Sequence, residues 1–185
     1  MVSAADAMTP DEIKALVRTI PDFPSPGIQF RDITTLVGHG EGFAASVDWL
    51  CEQVIRHGAQ GIAGMEARGF IFGAAVAAKC GLPFIAVRKP GKLPCETIGV
   101  DYDLEYGTDR LEIDPGSVGK GQQIVIVDDL LATGGTASAT VQLLRQAGAI
   151  VEHAVFAIDL PDLGGATKLA GLGIAVTALM QFEGE

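Results

Sequence analysis

Apolar positions recur along this chain with two periods, one helical and one strand-like, and they predict alternating elements. Thr9-Pro10-Asp11-Glu12 reads as a helix start. Thr9 caps, Pro10 takes the first helical position, the acids face the positive end of the dipole, and Glu12 stands three residues after the cap. Ile13, Leu16, Val17 and Ile20 continue at helical spacing. The following "PDFPSPGIQFRD" is too rich in proline for a central strand and predicts an extended arm. A second amphipathic helix is expected over about Glu41 to Arg56, with Phe43, Val47, Leu50, Cys51 and Val54 on one side.

From Gly61 the pattern becomes strand "GIAGM", turn "EARG", small-residue helix "FIFGAAVAAKCG" and strand "LPFIAVRK". Such a βαβ unit has a right-handed crossover. A long loop, "RKPGKLPCETIG", leads to "DLEYGTDRLEI", a strand or hairpin. Ile124 to Val127 are all β-branched, which predicts a strand covered on both faces. A helix about Gly135 to Ala147, the strand "IVEHAVFAI", a short helix near Leu163 to Leu169 and a strand near Ile174 to Leu179 complete the series. The expected fold class is α/β, with a mainly parallel central sheet flanked by helices.

Composition narrows the picture. The 185 residues suit one domain, and 48% hydrophobic against 19% charged residues argues against disorder. A net charge of −10 argues against a nucleic-acid partner. The charge is uneven: seven acids lie between Glu96 and Asp114 with Arg110 as the only base, whereas Arg88, Lys89 and Lys92 form a tight cationic group. Cys51, Cys80 and Cys95 show no C-x-x-C spacing, so reduced, inert thiols are expected. His39, His57 and His153 lack metal or triad spacing and are assigned to structure, and Trp49 to core or interface. No stretch reads as a signal peptide or a membrane span, and a cytoplasmic protein is expected.

Chemistry concentrates in "VIVDDLLATGGT". Asp128 and Asp129 are expected where the strand emerges from the sheet, since adjacent carboxylates are costly in a core. That end of an open α/β sheet is where ligands bind. Thr133, Gly134, Gly135 and Thr136 then put hydroxyls and bare backbone at a helix N-terminus, which favours a phosphate, while the two carboxylates can accept from vicinal sugar hydroxyls. A phosphorylated sugar satisfies both. Dinucleotide and P-loop signatures are absent.

This stretch resembles the signature of the phosphoribosyltransferase family. "DFPSPGIQFRDIT", "EARGFIFG", "RKPGKLP" and "LEYG", in this order, extend the resemblance over most of the chain and narrow it to members that use adenine. The resemblance implies one domain over residues 1–185, with an N-terminal hood over 1–35, an α/β core over 36–185 and a flexible lid loop about 89–107. It implies that 5-phosphoribosyl 1-pyrophosphate (PRPP) and adenine give AMP and pyrophosphate, with Mg²⁺ carried by the substrate oxygens and no direct protein ligand to it. A homodimer is also implied.

The roles carry over residue by residue. Ala132 to Thr136 would hold the 5-phosphate, and Asp128 and Asp129 the ribose hydroxyls. Glu66, Ala67 and Arg68, with a non-proline cis peptide at Glu66-Ala67, would meet pyrophosphate together with Arg88, Lys89 and Lys92. Phe30 and Leu130 would sandwich the base, with backbone groups of Gln29 and Arg31 reading its edge. Glu105, in "LEYG", is the candidate catalytic carboxylate. Relatives for 6-oxopurines resemble the phosphate loop but usually carry Asp at the place of Ala132, which argues against those bases here. The same chemistry on another base, or a PRPP-sensing regulator without catalysis, are the alternative readings.

Overall fold

The structure, a computed structural model, describes residues 8–103 and 107–184. In chain order the elements are α1 (Pro10–Ala15), β1 (Arg18–Pro21), β2 (Gln29–Asp32), α2 (Thr34–Val37), α3 (Gly40–Arg56), β3 (Gly61–Met65), α4 (Gly69–Cys80) and β4 (Phe84–Val87). There follow β5 (Ile98–Asp103), β6 (Thr108–Ile113), β7 (Gln123–Leu131), α5 (Gly135–Gln146), β8 (Ile150–Asp159), α6 (Gly165–Ala170) and β9 (Ala175–Gln181). Five strands form one sheet in the order β4-β3-β7-β8-β9, every pair parallel. The α/β expectation therefore holds.

β7 lies at the centre because both its faces are apolar. Ile124 and Ile126 pack on one side with Phe156, Val141, Leu144 and the hairpin residues Leu111 and Ile113. Val125 and Val127 pack on the other with Leu50, Val54, Phe72, Val76 and Ile13. Two thin antiparallel sheets flank this body: the arm β1–β2 and the hairpin β5–β6. Reciprocal backbone hydrogen bonds between Arg88 and Glu112, 2.9 and 2.8 Å, tie the hairpin to the end of β4.

The capping box at Thr9 and Glu12 forms as its sequence predicts, yet α1 stops at Ala15. Val17 and Ile20, which share its period, leave it because residues 18–21 pair with residues 29–32 as β1–β2. Short helices hold on little propagation energy, and a ladder of cross-strand bonds outcompetes one more turn. The cysteine expectation is also corrected. Cys51 of α3 and Cys80 at the end of α4 form a disulfide with Cα atoms 6.4 Å apart, while Cys95 is free and exposed. The packing of α3 on α4 brings together two thiols 29 residues apart in sequence, a proximity that spacing does not reveal. No helix among the described residues is long and apolar enough to cross a membrane.

Candidate active site

A cleft of about 240 Å³ opens at the carboxyl ends of β3 and β7, lined by Glu66, Ala67, Arg68, Asp128, Asp129, Leu130 and the turn Ala132 to Thr136. Met65 and Phe156 form part of its lining. The two stretches are about sixty residues apart in sequence and meet because β3 and β7 are neighbours, with Ala63 opposite Ile126.

Asp128 and Asp129 do not stand clear of the sheet, as the sequence suggests. β7 runs on to Leu131, and the two residues are only 9% and 4% exposed. The covering element is α4. A Cβ on its first residue, Gly69, would fall 2.0 Å from Asp128 Oδ1, so only glycine admits the carboxyl here. Placed against the first turn of α4, the Asp128 carboxylate meets the positive end of that helix. Its Oδ1 also accepts from the Asp129 backbone N–H at 3.0 Å.

Burial pushes the Asp128 carboxyl well above the usual carboxylate range, and the charge of Asp129 adds to the shift. Burial raises Asp129 too, opposed by the Arg68 guanidinium, whose Nε lies 2.8 Å from Oδ2. That ion pair lacks hydrogen-bond alignment and leaves Oδ2 buried without a donor. Two desolvated acceptors, one of them unsatisfied, are ready for hydroxyl donors.

The phosphate-loop candidates form a tight turn from β7 into α5. Gly134 is the N-cap at φ +76°, and no side chain caps the helix, so its first N–H groups are open to an anion. A residue absent from the sequence reading supports this turn from below. A Cβ on Gly165 would meet the Ala132 carbonyl oxygen at 2.2 Å, and one on Gly134 would meet Gly165 Cα at 3.1 Å. The Gly164-Gly165 pair before a helix was the available sequence signal.

The remaining candidates surround the cleft. The Glu66-Ala67 peptide is cis, as expected. Arg88, Lys89 and Lys92 do not line the cleft. Arg88 donates to Glu66 Oε2 at 2.8 Å and to the Lys92 carbonyl at 3.0 Å, and Lys89 pairs with Asp109. Within the acidic tract, Asp101, Asp109 and Glu112 neutralise Lys89 and Arg110. Phe30 is half-buried beside Arg68, whose guanidinium lies 5.7 Å from its ring centre, and packs edge-on against Phe23 at 5.2 Å. Arg31 donates to Thr19 Oγ1 and the Glu183 carbonyl and lies over the Phe182 ring. Gln29, half-buried, pairs with Pro21 across the arm. Glu105 lies outside the described residues.

Comparison with known proteins agrees with this geometry. A family described as the phosphoribosyl transferase domain matches residues 37–164. An adenine phosphoribosyltransferase of Erythrobacter litoralis is 68% identical over 177 residues, covering 96% of this chain and 99% of the relative. The chain belongs to the phosphoribosyl transferase family. Among solved structures, the adenine phosphoribosyltransferase of Thermoanaerobacter pseudethanolicus superposes on this phosphoribosyl transferase with TM-score 0.90 at 46% identity, covering 94% of this chain and 100% of that one. The Saccharomyces cerevisiae enzyme, solved with an imino-altritol 1,6-bisphosphate and adenine, gives TM-score 0.85 at 35% identity, covering 92% and 98%. The matched span of this transferase includes Asp128, Asp129 and the turn Ala132 to Thr136, which line one cleft.

Proposed function

We propose that this transferase moves the 5-phosphoribosyl group of PRPP onto adenine, giving AMP and pyrophosphate in purine salvage. The observation that carries the reading is the single cleft in which paired, desolvated carboxylates stand beside an uncapped Thr-Gly-Gly-Thr helix start. The first suits vicinal hydroxyls and the second suits a phosphate a few ångströms away. Relatives named for adenine, one of them 68% identical, supply the base.

In the reaction the bond from ribose C1 to the pyrophosphate oxygen breaks, a C1–N bond to adenine forms, and adenine loses a ring proton. The ring passes through oxocarbenium character. Asp128 and Asp129 fix the ribose, the amides of Ala132 to Thr136 hold the 5-phosphate, and Arg68, with Arg88, Lys89 and Lys92, meets the leaving group. Charge stabilisation of this kind is the main demand on the protein, because pyrophosphate leaves with several negative charges. Mg²⁺ borne by the oxygens of PRPP, with no direct protein ligand, would supply further neutralisation there. Phe30 and Leu130 enclose the base, with the backbone of Gln29 and Arg31 at its edge. Glu105 takes the base proton, so Glu105→Ala should slow turnover far more than it weakens AMP binding. Residues 1–35 act as the hood and about 89–107 as the lid.

The test is pyrophosphate release from PRPP and Mg²⁺ with adenine, hypoxanthine, guanine, xanthine, orotate or uracil supplied separately. Turnover with adenine alone is the expected result. Turnover only with another base would overturn the assignment of the arm, and binding of PRPP without turnover would point to a regulator.

A further inference from the structure

The Tyr102 hydroxyl stands where the two anion-binding parts of the site touch. Lys89 Nζ donates to it at 3.2 Å, Thr136 Oγ1 donates to it at 3.4 Å, and its own proton goes to Asp109 Oδ2 at 3.2 Å. One proton and two lone pairs are all that a phenol offers, and here each has a partner. Asp109 completes the group by pairing with Lys89, whose ammonium also lies 5.6 Å from the centre of the Tyr102 ring. Tyr102 belongs to β5 and Asp109 to β6, directly opposite each other in the hairpin ladder, whereas Thr136 lies in the first turn of α5. The hydroxyl is therefore the point at which the hairpin, the lysine loop and the phosphate turn meet.

From this arrangement we propose that Tyr102 is a positioning residue, which holds Lys89 at a set span from the phosphate turn so that one substrate can meet both. The inference rests on the proposed reaction and adds a residue to it. A lysine is a point charge on a flexible stem, so its contribution to a leaving group depends on what aims it. Burial works to lower the Lys89 pKa, but its hydrogen bonds to Asp109 and Tyr102 outweigh it and keep the ammonium protonated. The two contacts donated by hydroxyls, 3.2 Å to Asp109 and 3.4 Å from Thr136, are longer than the ~2.7–2.8 Å common for hydroxyl donors, so an incoming phosphate can take over the Thr136 proton without a large loss. Asp109 balances the lysine charge while no anion is bound, and the neutral hydroxyl remains as its guide when the ion pair opens.

Tyr102→Phe keeps the ring and removes only the hydroxyl. The KM for PRPP should rise about five-fold, with kcat and the KM for adenine changed less than two-fold and the melting temperature unchanged. The decisive readout is a double-mutant cycle with Lys89→Ala. If Tyr102 acts through the lysine, its substitution has no further effect on the PRPP KM once Lys89 is gone. Additive effects, an unchanged KM in the single variant, or equal losses for AMP and pyrophosphate binding would each overturn the proposal. Absence of turnover by the unsubstituted protein with every base would instead sink the reaction itself, and is thereby distinguished.

Discussion

Each end of the central sheet holds a pair of titratable side chains with a buried, unsatisfied polar atom, but only one end is built to receive a ligand. At the carboxyl end stand Asp128 and Asp129. At the amino end His57, which follows α3, stacks on His153 of β8 with ring centres 3.8 Å apart. Asp129 Oδ2 is buried without a hydrogen-bond partner, and so are His57 Nε2 and His153 Nδ1. Burial disfavours charge at both ends, raising the carboxyl pKa values and lowering that of His57, where His153 and Arg56 add repulsion. The surroundings differ. The acids have an uncapped helix start, the Arg68 cation and a cleft beside them, whereas the histidines fill space between a helix end and a strand. Unsatisfied burial thus marks a site only where backbone donors and open volume converge on it.

The comparison breaks most visibly at Asp128 and Asp129. Asp128→Asn and Asp129→Asn each remove an acceptor for ribose, and turnover should fall on the order of 10²-fold. Stability should move the other way. A carboxyl with a raised folded pKa contributes stability that is full below its unfolded value and lost as pH rises through the folded one. Near neutral pH the pair is therefore a cost, and either substitution should stabilise the fold by about 1 kcal/mol. Denaturant unfolding at pH 7 beside a turnover assay checks both signs, and a variant that lost stability as well as activity would remove the functional argument for burial.

A smaller effect is expected from Gly165, which sharpens the claim that backbone geometry makes the carboxyl end a site. In Gly165→Ala the methyl group must displace the Ala132 carbonyl, 2.2 Å away, and with it the phosphate turn. Affinity for AMP should fall about ten-fold, or about 1.4 kcal/mol, while affinity for adenosine, which has no phosphate, stays the same. Equal weakening of both ligands in calorimetry would mean that α6 carries no specific load.

How much of this was legible in the sequence follows the range of the forces involved. Local signals read true: the capping box at Thr9, the β-branched run of β7 and the glycine turn into α5 all form as expected. Long-range pairing did not read. Ile20 kept a helical period but went to an arm strand whose partner lies about ten residues on, and Cys51 met Cys80 through helix packing. The depth of Asp128 depended on Gly69, from a different βαβ turn, and the support under Ala132 came from Gly165. Nothing in the sequence joined Tyr102 and Asp109 to Lys89; the hairpin register places them opposite one another beside it. The site was legible as motifs, but the contacts that position those motifs come from elsewhere in the chain.

The histidine end offers the mildest test and the opposite sign. His57 has a folded pKa below its ordinary 6.5, so the neutral ring is the one the fold accepts. Stability is full above that value and is lost as pH falls below it, because the unfolded chain takes up the proton first. His57→Phe keeps a ring to stack on His153 and cannot be protonated. Its unfolding free energy should exceed that of the unsubstituted protein by about half a kcal/mol near pH 5, after allowance for solvent screening, with no gain attributable to the ring's charge near pH 8. Turnover should be unchanged at pH 7, since no part of the cleft touches this end of the sheet. A loss of activity in His57→Phe would show that the two ends communicate, and the contrast between a working pair and a merely tolerated one would then fail.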